Sequence, residues 1–252
     1  MFDTHAHLDD IKFDDDRESV IDAFVRSGGT YLINASSDIP SSYKSLALAD
    51  KYGFIYAAAG VHPHETGKMT DGSLDEIARL WQHEKCVAIG EIGLDFYYDF
   101  SDRDTQRKWF YNQLELAKQL DAPVIIHDRD AHAECLEAVK KTGVRGVFHC
   151  YSGSWETAEE LLKIGFYLSF TGAVTFKNAR KTVEVAAKTP IDRIMIETDS
   201  PYLSPEPLRG TRNNPSNVIW VARKIAEIRG VSVDFIIEQT EKNGKRLFGI
   251  GN

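Results

Sequence analysis

A short apolar run followed by a segment of helical spacing, repeated eight times, constrains this chain more than any other feature. The runs fall at residues 2–8, 31–35, 55–61, 86–92, 123–127, 145–150, 167–174 and 193–198. Most are continuous rather than alternating in apolar residues, as strands are when a parallel sheet buries both of their faces. Between them, apolar residues recur at helical intervals over 17–27, 42–52, 73–82, 104–120, 131–141, 155–163 and 178–187. Strand then helix, eight times over, is the arithmetic of an α/β fold of the (β/α)8 TIM barrel type. A doubly wound open sheet has the same local pattern and differs only in closure, which spacing does not decide. Two amphipathic stretches, 216–229 and 233–247, remain after the eighth run and can cover the barrel.

The 252 residues carry scattered prolines and glycines and no Gly/Ser tract, so one domain, 1–252, is expected. No signal-like leader opens the chain and no apolar run reaches membrane-spanning length, the pattern of a soluble, cytoplasmic protein without a membrane partner. No obligatory protein partner is evident. Cys86, Cys135 and Cys150 are odd in number and far apart, which fits reduced thiols and not a disulfide framework. The net charge of −8 argues against a broad basic surface. A nucleic acid would have to be met by cations concentrated at one place.

Polar residues gather where these runs end. His5 and His7 close the first, His62 and His64 follow the third, and Glu91 ends the fourth within Gly90-Glu91-Ile92-Gly93. His127 ends the fifth, His149 sits late in the sixth, and Asp199 ends the eighth. His83 and His132 go with helical segments, so six of the eight histidines share the carboxyl ends of strands. In a barrel those ends open onto the one rim where active sites are built. A single histidine there is ordinarily a rim side chain; six together point to a metal site. His5-Ala6-His7 places two imidazoles on one strand face.

Imidazoles with carboxylates suit Zn, Mn, Fe or Ni, and Mg where carboxylate and water dominate. Four histidines with Glu91 and Asp199 exceed the needs of one tetrahedral ion, so two divalent ions (Mg, Mn or Zn) are expected, bridged by Glu91. Two ions about 3.5 to 4 Å apart activate water and clamp the oxygens of a displaced phosphate, which fits phosphodiester hydrolysis. Asp199 is placed both to ligate and to take the proton of the attacking water. Gly-x-Ser-x-Gly is absent and no Ser/His or Cys/His nucleophile competes.

Outside the ligands, His62 lies nearest the strand and is expected to contact substrate. Arg129, two residues past His127, meets a phosphate oxygen or else pairs with Asp128 or Asp130. The loop 208–215 carries Arg209 and Arg212 ahead of a helix start and can present donors to an anion, although ordinary helix entries look similar. Phe96, Tyr97, Tyr98, Phe100 and Tyr151 lie just beyond the ligands. They wall the pocket, the more ordinary arrangement, or stack on bases.

With these residues in view the sequence resembles the TatD family of metal-dependent deoxyribonucleases, within the wider amidohydrolase-like barrels. The likeness runs through Phe2-Asp3-Thr4-His5-Ala6-His7-Leu8, Gly60-Val61-His62-Pro63-His64, Gly90-Glu91-Ile92-Gly93-Leu94-Asp95, His127-Asp128-Arg129-Asp130-Ala131, His149-Cys150-Tyr151-Ser152-Gly153 and Glu197-Thr198-Asp199-Ser200-Pro201-Tyr202-Leu203. It implies DNA as substrate, with His5, His7, Glu91 and Asp199 around one ion and Glu91, His127 and His149 around the other. One departure is visible: Asn214 stands where the family's Asn-Glu-Pro carries its acidic residue. A small-molecule amidohydrolase in the same barrel is the rival enzyme, but many of those bridge their metals with a carboxylated lysine where this chain has Glu91. A non-catalytic metal-binding protein is the third possibility, and it requires a defect that the ligand positions do not show.

Overall fold

The structure is a computed structural model that describes residues 1–251. Eight parallel strands, β1 (Phe2–Ala6), β2 (Tyr31–Ala35), β3 (Ile55–Ala59), β4 (Cys86–Asp95), β5 (Val124–Arg129), β6 (Gly146–Phe148), β7 (Tyr167–Phe170) and β8 (Ile194–Ile196), pair in sequence order. Helices α1 (Arg17–Arg26), α2 (Ile39–Lys51), α3 (Asp71–Trp81), α4 (Arg103–Gln119), α5 (His132–Thr142), α6 (Trp155–Lys163) and α7 (Arg180–Lys188) alternate with them. α8 (Val218–Arg229) and α9 (Val233–Phe248) follow β8. This is a TIM-barrel fold, and the open doubly wound sheet is excluded by its closure. Ala6 bridges Ser200 in parallel, the His7 N–H donates to Ser200 O at 2.8 Å, and the Asp199 N–H donates to His5 O at 2.9 Å. Lower in the same seam the Asp3 carboxylate accepts the Thr198 backbone N–H and hydroxyl at 2.9 and 2.6 Å. A side chain thus substitutes for the ladder where β1 and β8 diverge.

Alternate strand residues fall into two apolar clusters, as a period of two requires. Leu32, Ile89, Val124, Ile126, Leu168 and Ile194 pack under the helices. Phe2, Ile33, Ala88, Ile125, Val147 and Met195 fill the barrel with Leu247, Phe248 and Ile250 from the chain's end. α9 therefore stoppers the amino-terminal end, and the carboxyl-terminal end is left for chemistry.

Element limits depart from the sequence pattern where local chemistry overrides periodicity. α2 starts at Ile39, three residues earlier than the spacing predicts. The Asp38 carboxylate accepts the Ser41 N–H at 2.8 Å while the Ser41 hydroxyl faces the Asp38 N–H, also at 2.8 Å, a reciprocal cap with Pro40 in the first turn. β4 runs on to Asp95, and β6 stops at Phe148, so His149 lies one residue beyond its strand.

Candidate metal centre

Strand alternation builds the site out of the barrel floor. Two residues beyond the interior Ile125, Val147 and Met195 stand His127, His149 and Glu197, so the inward face changes from apolar to polar as each strand reaches the rim. β1 and β4 shift register between Asp3 and Ala6 and between Ile89 and Ile92. Those irregularities, which re-aim side chains in a sheet, lie at His5 and Glu91.

The structure brings His5, His7, Glu91, His127, His149 and Asp199 into one cluster. Glu91 is at its centre and divides its oxygens. Oε2 lies 3.2 Å from His5 Nε2 and 3.7 Å from His7 Nε2, whereas Oε1 lies 2.8 Å from both His127 Nδ1 and His149 Nε2. Asp199 Oδ1 completes the first half at 3.2 Å from His7 Nε2 and 3.7 Å from His5 Nε2. Three sets of side chains are compact enough to hold an ion: His5, His7 and Asp199; His62, Glu91 and His127; and His5, His149 and Glu197.

Hydrogen bonds on the outer side of the rings select among these sets. His7 Nδ1–H donates to Ala35 O at 2.9 Å and His127 Nε2 faces Asp95 Oδ2 at 3.3 Å, whereas His149 Nδ1 has Glu197 Oε1 as an ion-pair neighbour at 3.3 Å without hydrogen-bond geometry. Each neighbour is an acceptor oxygen, so it favours the proton on the outer nitrogen and leaves the inner lone pair free to ligate. His62 is the reverse case. Its Nδ1 accepts the His64 N–H at 3.2 Å, which puts the proton on Nε2, 3.5 Å from Glu91 Oε1, and makes His62 a donor into the site. Glu197 also accepts the Cys150 N–H at 2.7 Å and serves as backing for the imidazoles. Asp95 and Glu197 both lie within the quoted motifs, but nothing in the sequence alone marks them as partners of the imidazoles.

The charges fit a cation. Burial alone would raise the Glu91 carboxyl, but His149, His62, His5 and a bond from His127 hold it well below the usual carboxylate range. Asp199 is likewise lowered, burial being outweighed by His7. Burial pulls His62 down to about 3, reinforced by His127, so its ring is neutral. Burial opposes charge on His7 too, yet Asp199 and Glu91 outweigh it and raise the group to about 9. His5 Nε2 and His7 Nε2 are only 3.2 Å apart between two carboxylates. Converging nitrogen lone pairs and ionised oxygens of this kind suit a divalent ion, and protons are its competitors.

At the rim, Arg129 makes no ion pair among the described residues. Asp128 instead accepts from His132 Nδ1 at 2.7 Å, and the Arg129 guanidinium lies 4.4 Å over the Tyr97 ring. Arg209 stacks 3.7 Å over Phe176. Arg212, the second arginine of the loop, is engaged by Asp16 at 3.0 and 2.6 Å and is not available to a ligand. Asn214 accepts the Ser216 N–H at 3.0 Å as the cap of a short 3-10 turn, a task for which an amide serves as well as a carboxylate. Tyr151 is wall: it is buried, and its hydroxyl donates to Ser154 O at 2.8 Å.

The family model described as TatD related DNase matches residues 2–249. The metal-dependent hydrolase YabD of Bacillus subtilis is 45% identical, with 99% of each chain covered. The 3'-5' ssDNA/RNA exonuclease TatD of Citrobacter koseri is 33% identical, again over 99% of each chain. The crystal structure of YJJV, a TatD homologue of Escherichia coli, superposes with a TM-score of 0.93 at 32% identity, covering 99% of this chain and 98% of that one. On its sequence, its fold and the side chains gathered at its rim, this chain belongs to the TatD-related DNase family of metal-dependent hydrolases.

Proposed function

We propose that the protein is a nuclease that hydrolyses phosphodiester bonds at DNA ends with two divalent ions. His5, His7, Glu91 and Asp199 would hold one ion, and Glu91, His127 and His149 the other. The observation that carries this reading is the division of Glu91, one oxygen toward each pair of imidazoles. Bound there, divalent ions would supply Lewis-acid stabilisation of phosphate charge and a lowered pKa for water. The chain's own groups then do the rest. Asp199 is ionised and takes the water's proton. His62 donates its Nε2–H to a phosphate oxygen, and Asp95 and Glu197 keep His127 and His149 in the tautomers that face inward. Arg129 and Arg209 stand outside this cluster as contacts to the phosphates of the strand. The Citrobacter relative, named for single-stranded DNA and RNA, supports a nucleic-acid substrate over a small amide or lactone.

The test is enzyme stripped with a chelator, refilled with Mg, Mn or Zn singly, and assayed on end-labelled single- and double-stranded DNA. Cleavage should disappear and return, with two ions per chain by elemental analysis. Activity that survives stripping, or full activity at one ion per chain, would sink the dinuclear assignment. Because His7 is raised to about 9 without metal, a proton must leave before an ion binds, so affinity should be stronger at pH 8 than at pH 6.

His62→Ala removes one donor and no ligand. A hydrogen bond to a charged oxygen is worth about 1.5–3 kcal/mol, which converts to roughly a 10- to 150-fold loss of turnover. Bound metal should stay at the wild-type level; a variant that also loses an ion would make His62 a ligand.

A further inference from the structure

We propose that the mouth grips unpaired nucleobases on both sides of the scissile phosphate, stacking one on the Tyr98–Phe100 pair and one on Tyr202. The inference rests on the nuclease reading above and adds to it the surface that selects an unpaired strand. The loops that follow β4 and β8 stand four strands apart in a ring of eight, so they face each other across the mouth. On the first, Tyr98 and Phe100 are stacked at 5.4 Å and 17°, and are 50% and 70% exposed. On the second, Tyr202 is 45% exposed. Each lip adjoins one half of the centre: Phe100 lies 4.7 Å from the His64 ring, itself 6.2 Å from His127, and Tyr202 lies 6.1 Å from the His7 ring.

These exposed rings are held in place. Asp95 Oδ1 accepts the N–H groups of both Tyr97 and Tyr98 at 3.0 and 2.9 Å, and the Tyr202 hydroxyl donates to Asp10 Oδ2 at 2.8 Å. Each lip also carries a cation. Arg129 lies over Tyr97 and, at 5.6 Å, over Tyr98, while Lys12 lies 4.3 Å over Tyr202. Neither cation forms an ion pair among the described residues, unlike Arg17, Arg103, Arg107 and Arg212. Aromatic platforms flanked by free cations are the combination that binds single strands, because every base has a π face and every linkage a phosphate. They also place positive charge at the one spot where a protein of net charge −8 needs it. A base inside a duplex is stacked on its neighbours and must be freed before it reaches either lip.

The experiment compares a single-stranded oligonucleotide with the same strand carrying abasic residues at its last two positions at each end. Stacking measured by alanine substitution corresponds to roughly 5- to 150-fold per base. Tyr98→Ala combined with Phe100→Ala, and separately Tyr202→Ala, should each raise KM for the ordinary strand by about tenfold or more. The loss on the abasic strand should be several-fold smaller, and Tyr202→Phe should keep most of the affinity. Equal losses on both strands, or no loss on the ordinary one, overturn the stacking surface and leave the nuclease reading standing. If the unmodified, metal-loaded protein cleaves neither strand, both fall together.

Discussion

Glu91→Gln is expected to cut DNA hydrolysis by several orders of magnitude and to empty the centre of metal, while the barrel remains folded. The substitution keeps volume and removes charge. It also replaces one acceptor oxygen with an N–H2 group that would point at imidazole lone pairs, either those of His5 and His7 or those of His127 and His149. One half of the cluster is spoiled whichever way the amide turns. The fold is a separate matter, because Glu91 is not part of the apolar floor. It is a buried carboxylate whose attraction to the surrounding histidines outweighs its own burial, so losing its charge leaves those rings uncompensated and costs about 3–5 kcal/mol. Glu91→Gln should therefore stay folded but melt roughly 6–20 °C below chelator-treated wild type, at about 2–4 °C per kcal/mol for a chain of this size. Asp199→Asn should lose roughly 10²- to 10⁴-fold in kcat, the range of a general base, while retaining the ion held by Glu91, His127 and His149. The measurements are elemental analysis, melting curves and single-turnover cleavage of end-labelled DNA. Near-normal turnover in either variant would refute its role.

The barrel and the convergence of the six rim residues were legible because both are set by local period. Continuous apolar runs mark two-sided burial, and the strand ends of a barrel share one rim. His127 and His149 follow this rule directly, two residues beyond the interior Ile125 and Val147. What was not legible depends on neighbours distant in sequence. Asp95 and Glu197 are ordinary carboxylates until the rings of His127 and His149 are placed against them. Arg212 offers itself to an anion until Asp16, on the far side of the sequence, takes it. At His5 and Glu91 the register shifts in β1 and β4 break the alternation, so a strict count of two would have misplaced these two residues of the cluster. The Tyr97, Tyr98 and Tyr151 cluster divides in the same way. Burial and a bond to Ser154 make Tyr151 wall, and only its tertiary surroundings separate it from the exposed pair.

Gly93→Ala should be the most damaging single methyl in the molecule. Gly93 pairs with His127 across β4 and β5, at φ +155°, and a Cβ there would stand 1.9 Å from His127 O and 2.7 Å from His127 C. Those atoms are backbone, so no rotamer change relieves the overlap; the two strands must part, and the parting lies between Glu91 and His127. Backbone strain and overpacking each cost about 1–3 kcal/mol. Together, at about 2–4 °C per kcal/mol for a chain of this size, they lower Tm by roughly 4–24 °C. Gly165→Ala separates the two contributions, since Gly165 also has positive φ, +89°, but opens onto free space. It should show only the conformational cost, about 1 kcal/mol. If Gly93→Ala melted alongside Gly165→Ala and bound its full complement of metal, the close approach of β4 to β5 would not be what sets Glu91 against His127. If it melts far lower and the surviving folded fraction binds less metal, the width of that one strand pair is what holds the two halves of the centre at ligand distance.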